Sequence, residues 1–165
     1  MKIFNALAFN LIWFGCILYG NVFVPVVILL IITHLVLVNT WREELKLILL
    51  VSAIGISVDS FLVNINFFIF PQSNVIIPIW LIAIWCAFAA TINHSLAFLK
   101  NYGWAQFVSG AIAAPLSYLG GVKLNAVNLG FSLPLSLMVL SATWLVLMPT
   151  FIYLSKRPDL RLSHD

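Results

Sequence analysis

Apolar residues occur along this chain in six runs, each separated from the next by a few polar or helix-breaking residues. Each run is close to the length of about 20 residues that an α-helix needs to cross a hydrocarbon core roughly 30 Å thick. The pattern predicts an all-α protein, a polytopic transmembrane bundle of six helices in one domain of residues 1–165. The predicted helices cover residues 3–19, 22–39, 47–68, 78–99, 104–120 and 133–154, and residues 155–165 form a polar tail.

Composition supports a membrane protein. Hydrophobic residues make up 63% of the chain and charged residues 8%, whereas soluble domains carry about 45–50% apolar and about 25% charged residues. The two cysteines, Cys16 and Cys86, lie within apolar runs, so we expect no disulfide framework. The principal predicted partner is the lipid bilayer. A nucleic-acid partner is not expected, because the net charge of +3 reflects topology.

The basic residues predict the orientation of the bundle. If the N-terminus is cytoplasmic, seven of the eight Lys and Arg residues fall in cytoplasmic segments, and only Lys123 falls outside. Such a bias in short loops indicates that both termini are cytoplasmic. The cytoplasmic set is Lys2, Arg42, Lys46, Lys100, Lys156, Arg157 and Arg161.

Small residues recur at helical spacing in the fourth and fifth predicted helices. Residues four apart stack on one helix face, and faces of small residues let helix backbones approach closely in lipid. We therefore predict that these two helices pack against each other as the spine of the bundle, with a bend near Pro115. The predicted packing residues are Ala83, Ala87, Thr91, Ser95, Ala105, Ser109, Gly110, Ala113 and Gly121.

Asp59 is the one acidic residue inside a predicted span. A charge at the bilayer centre costs on the order of 2.5–3.5 kcal/mol on insertion scales, so Asp59 should face the bundle interior and find partners such as Asn93 or Ser117. It is either a packing residue or a proton, cation or catalytic site. The candidate polar pocket consists of Asp59, Asn93, His94, Ser117, Tyr118 and Lys123. Of the tryptophans, Trp13, Trp85 and Trp144 lie deepest and are predicted packing or pocket residues.

Two histidines, His34 and His94, are predicted at similar depth in the cytoplasmic half. A haem or metal site is conceivable, but two ligands without a clear third are a weak signal. Packing histidines are the favoured interpretation. We predict no metal and no cofactor.

The run from Trp85 to Ala126 resembles a family of small bacterial inner-membrane proteins of unknown function. The matching positions are Trp85, Phe88-Ala89, Ser95-Leu96, Gly110-Ala111, Pro115–Tyr118, Gly121 and Lys123, and Ala90 departs from the family pattern, which has Thr there. The resemblance implies a bacterial inner-membrane location. Some members of that family are encoded near lipid-modifying genes such as those for cyclopropane-fatty-acid-synthase-like enzymes, which implies a setting in lipid metabolism but no activity.

Three functions fit these observations. The first is an accessory or partner protein in envelope or lipid metabolism, which binds another membrane protein or a second copy of itself. The second is a small permease that uses Asp59. The third is a membrane enzyme acting on a lipid or isoprenoid, although the sequence carries no diagnostic catalytic set and leans against an enzyme.

Overall fold

The computed structural model describes residues 2–71 and 76–157. The end of the predicted tail, including Arg161, lies outside this range. Within the described residues the protein is all-α apart from two short strands. The helices are α1 (Lys2–Tyr19), α2 (Val24–Leu37), α3 (Trp41–Asn64), α4 (Ile79–Ala89), α5 (Gly103–Val108), α6 (Ala114–Lys123) and α7 (Leu133–Leu154), and the strands are β1 (Phe68–Ile69) and β2 (Asn128–Leu129).

Three helical stretches of the described chain are long and apolar enough to cross a membrane. They are Lys2–Leu37, Trp41–Asn64 and Leu133–Leu154, and Ile79–Ala89 is a shorter apolar helix. The first stretch contains α1, a 3₁₀ turn at Gly20–Phe23 and α2. The prediction of apolar membrane-type helices is therefore confirmed at this level.

The first helical stretch is a hairpin that turns at Gly20. Gly20 has φ +56°, a left-handed conformation that glycine adopts without steric cost. At this turn the Asn21 side chain accepts a hydrogen bond of 3.1 Å from the Trp80 amide. At the opposite end Asn5, in α1, donates to the Ala90 carbonyl at 3.0 Å, and the ring of His34, in α2, contacts that of His94. Hence α1 and α2 are antiparallel, with α4 beside both.

Helix α3 begins six residues before its predicted start at residue 47. Residues 41–46 lie between the predicted helices 22–39 and 47–68, where their charges indicate a loop, and they form the first turns of α3. Glu43 and Glu44 both lie in the first turn, where negative side chains interact favourably with the helix dipole. The helix ends at Asn64 rather than 68, because Asn66 has φ +58° and turns the chain out of the helix.

The connectors after α3 and α6 pair with each other. Strand β1 is antiparallel to β2, with Phe68 opposite Leu129. Asn125, like Asn66, has a positive φ and ends the preceding helix. A side chain at Gly130 would place its Cβ 1.9 Å from the Asn66 carbonyl oxygen, so glycine is required there. The long predicted connector at 121–132 thus finishes α6 and then adds a strand.

The predicted helix at 78–99 is shorter than expected. Helix α4 ends at Ala89, residues 90–96 form turns, and a 3₁₀ helix covers Ala97–Lys100. Polar side chains in this segment form hydrogen bonds that compete with helical ones. Thr91 donates to the Phe88 carbonyl at 2.5 Å, and both the amide and the hydroxyl of Ser95 donate to the side-chain oxygen of Asn5.

Helices α5 and α6 are joined by a π-helical turn, Ser109–Ala113, just before Pro115. Proline has no N–H to donate and its ring crowds the carbonyl four residues earlier, which is that of Ala111. A wider turn relieves this crowding, and the freed Ala111 carbonyl accepts a hydrogen bond of 2.8 Å from Ser141 of α7.

The predicted pairing of the fourth and fifth helices is wrong. The close partner of α5, the π turn and α6 is α7, whereas α4 packs chiefly on α3, α1 and α2. Gly110 lies directly against the α7 backbone: a Cβ there would be 2.3 Å from the Trp144 carbonyl oxygen. A cavity separates α4 from α6: large side chains of α4 line one side of it, and Ala114, Ser117 and Gly121 of α6 line the other.

Candidate functional site

The first candidate site is a buried hydrogen-bonded group around Asp59. Asp59 is 1% exposed. The Trp85 indole of α4 donates to its Oδ2 at 2.8 Å, and the Tyr118 hydroxyl of α6 lies 3.0 Å from both carboxyl oxygens. The acid therefore joins three helices, and its partners are Trp85 and Tyr118 instead of the predicted Asn93 or Ser117.

Aromatic packing fixes both partners of Asp59. Trp85 is stacked on Trp144 with ring centroids 5.4 Å apart, and Tyr118 is stacked on Phe68 at 5.2 Å. Gly55, one turn before Asp59, makes room for the indole: a Cβ there would lie 2.2 Å from the Trp85 ring. Side chains held in this way keep their donors aimed at the carboxyl group.

Beside this group lies a cavity of about 380 Å³. Its wall is largely apolar and rich in aromatic rings, and it is built from α1, α4, the α5–α6 helix and α7. The aromatic residues of the wall are Phe9, Trp13, Phe70, Trp80, Trp85, Phe88, Tyr118 and Trp144. The three deep tryptophans, predicted to be packing or pocket residues, therefore line this cavity.

Small residues form the side of the cavity nearest to α1. Ala113 and Ser117 line it and are nevertheless exposed on the bundle surface. The Trp13 indole crosses this side and donates to the Ser117 hydroxyl at 2.9 Å. The cavity thus reaches the surface between α1 and the α5–α6 helix.

A second polar group lies at the end of the molecule where α2 ends and α3 begins. Glu44 Oε1 is 3.3 Å from His34 Nε2 and 3.2 Å from His94 Nε2. Asn93 donates to Glu44 Oε2 at 2.8 Å and accepts from Lys100 at 2.6 Å. A polar cavity of about 370 Å³ lies against Glu44, His94 and Lys100.

The comparisons with known proteins identify a family but no function. A family model described as a protein of unknown function, DUF2878, matches residues 2–150, most of the chain. The chain belongs to this family. No curated protein and no solved structure matches it. Membership in DUF2878 agrees with the resemblance to a family of unknown function, and it assigns no chemistry.

In this DUF2878 protein the predicted polar-pocket residues occupy separate places. The Tyr118 hydroxyl donates a hydrogen bond to Asp59, and Ser117 faces the apolar cavity. Asn93 and His94 belong to the group around Glu44. Lys123 is exposed at the end of α6.

Glu44 is the site residue that the sequence interpretation missed, because it was assigned to a loop. It is 2% exposed. A signal was present: Glu44 begins the series that leads to Asp59 along the buried face of α3. The members of that face are Glu44, Leu47, Ile48, Val51, Gly55, Asp59 and Leu62, at spacings of one, three and four residues.

Proposed function

We propose that this protein is an inner-membrane protein that binds a hydrophobic, lipid-like molecule and serves as an accessory or partner protein in envelope or lipid metabolism. The observation that carries the proposal is the aromatic-lined cavity of about 380 Å³. Ligand sites in proteins are mostly apolar and typically about 300–1,000 Å³ in volume.

The polar groups of the cavity wall support an apolar ligand. Ser109 donates to the Gln106 carbonyl, Ser117 accepts from Trp13, and Tyr118 donates to Asp59. Since these groups are already bonded within the protein, they offer few sites for a polar ligand. An acyl or isoprenoid chain fits this surface, and the side of the cavity at Ala113 and Ser117 provides a route of entry from the bilayer.

The proposed topology is six spans with both termini in the cytoplasm. The contacts of the α1–α2 hairpin and the basic-residue bias support it. Reporter fusions after Lys100 should report a cytoplasmic location, and fusions at Asn21 and Asn128 should report the outside. An external signal at Lys100 would contradict six spans.

The permease alternative has less support. Both carboxyl oxygens of Asp59 accept hydrogen bonds from fixed aromatic donors, and the residue is 1% exposed. A residue that carries an ion has to be accessible to that ion, and Asp59 is not.

The enzyme alternative also has less support, because the predicted polar residues do not converge on one reacting position.

Ligand binding can be tested by filling the cavity. Ala113→Phe places an aromatic ring in the wall, whereas Ala53→Phe adds the same ring on an exposed position of α3. We expect the wild-type chain and Ala53→Phe to retain a lipid in native mass spectrometry after release from mild detergent, and Ala113→Phe to lose it. The retained mass should belong to a lipid class whose level changes in a deletion strain.

Two results would contradict this proposal. One is a wild-type chain that retains no lipid. The other is equal retention in Ala113→Phe and Ala53→Phe when both variants elute as folded monodisperse protein, since the lipid would then lie on the outer surface.

A further inference from the structure

The group around Glu44 has the composition of a metal site. One ligand atom from each of His34, Glu44 and His94 lies within 4.8 Å of the others. Two imidazoles and one carboxylate are a ligand set that holds catalytic zinc in proteins, with the fourth position left open. The same set serves iron(II), while magnesium and calcium prefer oxygen ligands alone.

The distances fit such an ion. Zinc lies about 2.0–2.1 Å from each histidine nitrogen, which in a tetrahedral site separates neighbouring ligand atoms by roughly 3.3 Å. Glu44 Oε1 is 3.3 Å from His34 Nε2 and 3.2 Å from His94 Nε2. These two separations need little adjustment when an ion enters, and the third, between the ligand atoms of the two histidines, is within 4.8 Å.

The orientation of His94 favours an ion over a simple hydrogen-bonded group. Its Nε2 is buried and lies 3.2 Å from Glu44 Oε1, but this contact lacks good hydrogen-bond geometry, and the described part of the structure offers the nitrogen no hydrogen bond. Burial of an imidazole nitrogen that makes no hydrogen bond costs free energy, because the nitrogen loses its hydrogen bond to water. A metal ion between the three ligand atoms would bind this nitrogen.

Asn93 holds the carboxylate in position for this role. Its amide donates to Glu44 Oε2 and leaves Oε1 facing the two histidines. Such outer partners orient metal ligands and tune affinity. Lys100 contacts the other end of the Asn93 amide, so its positive charge is separated from the ligand atoms by that side chain.

We propose that His34, Glu44 and His94 bind one first-row divalent transition-metal ion of the zinc type, with an open coordination position toward the polar cavity beside Glu44, His94 and Lys100. The site joins the end of α2, the start of α3 and the turn segment that follows α4. It does not depend on the lipid-like ligand proposed above.

The test uses the full chain purified in detergent and stripped with a chelator. Zn²⁺ affinity is measured by competition with a chromogenic chelator, and Co²⁺ is added separately as a spectroscopic probe. We expect one equivalent of Zn²⁺ per chain, tetrahedral Co²⁺ absorption bands, and no competition by Mg²⁺. Glu44→Gln and His94→Gln should weaken Zn²⁺ binding by more than the factor of about 10–100 that loss of an outer partner causes, and Asn93→Ala should fall within that range.

The matched control is Glu43→Gln, which removes the same charge from a residue that lines the polar cavity but lies outside the ligand set. It should bind Zn²⁺ like the wild-type chain. Failure of the folded wild-type chain to bind stoichiometric Zn²⁺ or Co²⁺ overturns the proposal without any variant. Equal affinities for Glu43→Gln and Glu44→Gln also overturn it, because binding would then be adventitious.

Discussion

Replacement of Asp59 separates a packing role from a role in proton or ion chemistry. Asp59→Leu removes the acceptor of the Trp85 indole and the Tyr118 hydroxyl. Asp59→Asn retains a carbonyl for the indole and supplies an amide that can donate to the phenol oxygen. The two variants therefore differ in hydrogen bonding but have the same number and branching of side-chain heavy atoms, and neither can ionise.

The cost of Asp59→Leu follows from the two donors left without a partner. Hydrogen bonds between membrane helices average about 0.6 kcal/mol, with a maximum near 1.7 kcal/mol. The upper value applies here because Asp59 is 1% exposed and water cannot replace it. We expect Asp59→Leu to lower the free energy of unfolding by about 2–3 kcal/mol, and Asp59→Asn by less than about 1 kcal/mol.

The measurement is reversible unfolding in mixed micelles, with Ser57→Leu, at an exposed position of α3, as the control. A packing role predicts that Asp59→Asn also keeps the lipid bound in the native state. Asp59→Leu with wild-type stability would refute the calculation. An Asp59→Asn variant that folds normally but fails to restore the wild-type phenotype to a deletion strain would refute the packing role. That result would favour the permease or enzyme alternative.

Two glycine substitutions test the packing of the helices. Gly110→Ala should lower the free energy of unfolding by about 1–3 kcal/mol, because its Cβ meets the Trp144 carbonyl oxygen at 2.3 Å and backbone cannot rotate away. Gly103→Ala, with nothing within 4 Å, is the control and should be neutral or stabilising. Equal effects in the same unfolding assay would refute the close contact between the π turn and α7. Gly55→Ala should displace the Trp85 indole and change the near-ultraviolet circular dichroism, and an unchanged spectrum would contradict the stacking described here.

Hydropathy was sufficient to predict the helical class and the approximate position of the apolar segments. It could not predict helix ends, since these depend on local polar bonds. The charged side chains of residues 41–46 are typical of an exposed loop, but these residues are helical. Glu44 is buried and contacts two histidines from other elements. At the other end of α3, Asn66 stops the helix within an apolar run through its left-handed backbone.

Residue spacing predicted which faces carry small residues but not what those faces contact. Gly110 packs directly on the α7 backbone, whereas Ala113 and Ser117, on another side of the same helix, line the cavity. The face that packs on α7 and the face that lines the cavity look alike in sequence, because small residues occur both where helices pack closely and where a cavity lies between them. Only the position of the large rings, Trp85 and Trp144 above all, decides between the two.

The break after Ala89 links the two candidate sites. Within the turn segment at residues 90–96, Thr91 and Ser95 line the apolar cavity, while Asn93 and His94 join Glu44. The segment is therefore a shared wall with one polar and one apolar side. Its shape depends on bonds from outside α4, chiefly those of Asn5 to the Ala90 carbonyl and to Ser95. Asn5 of α1 and Glu44 of α3, which accepts from Asn93, thus bind the wall from its two sides and help to keep the cavity apart from the histidine–glutamate group.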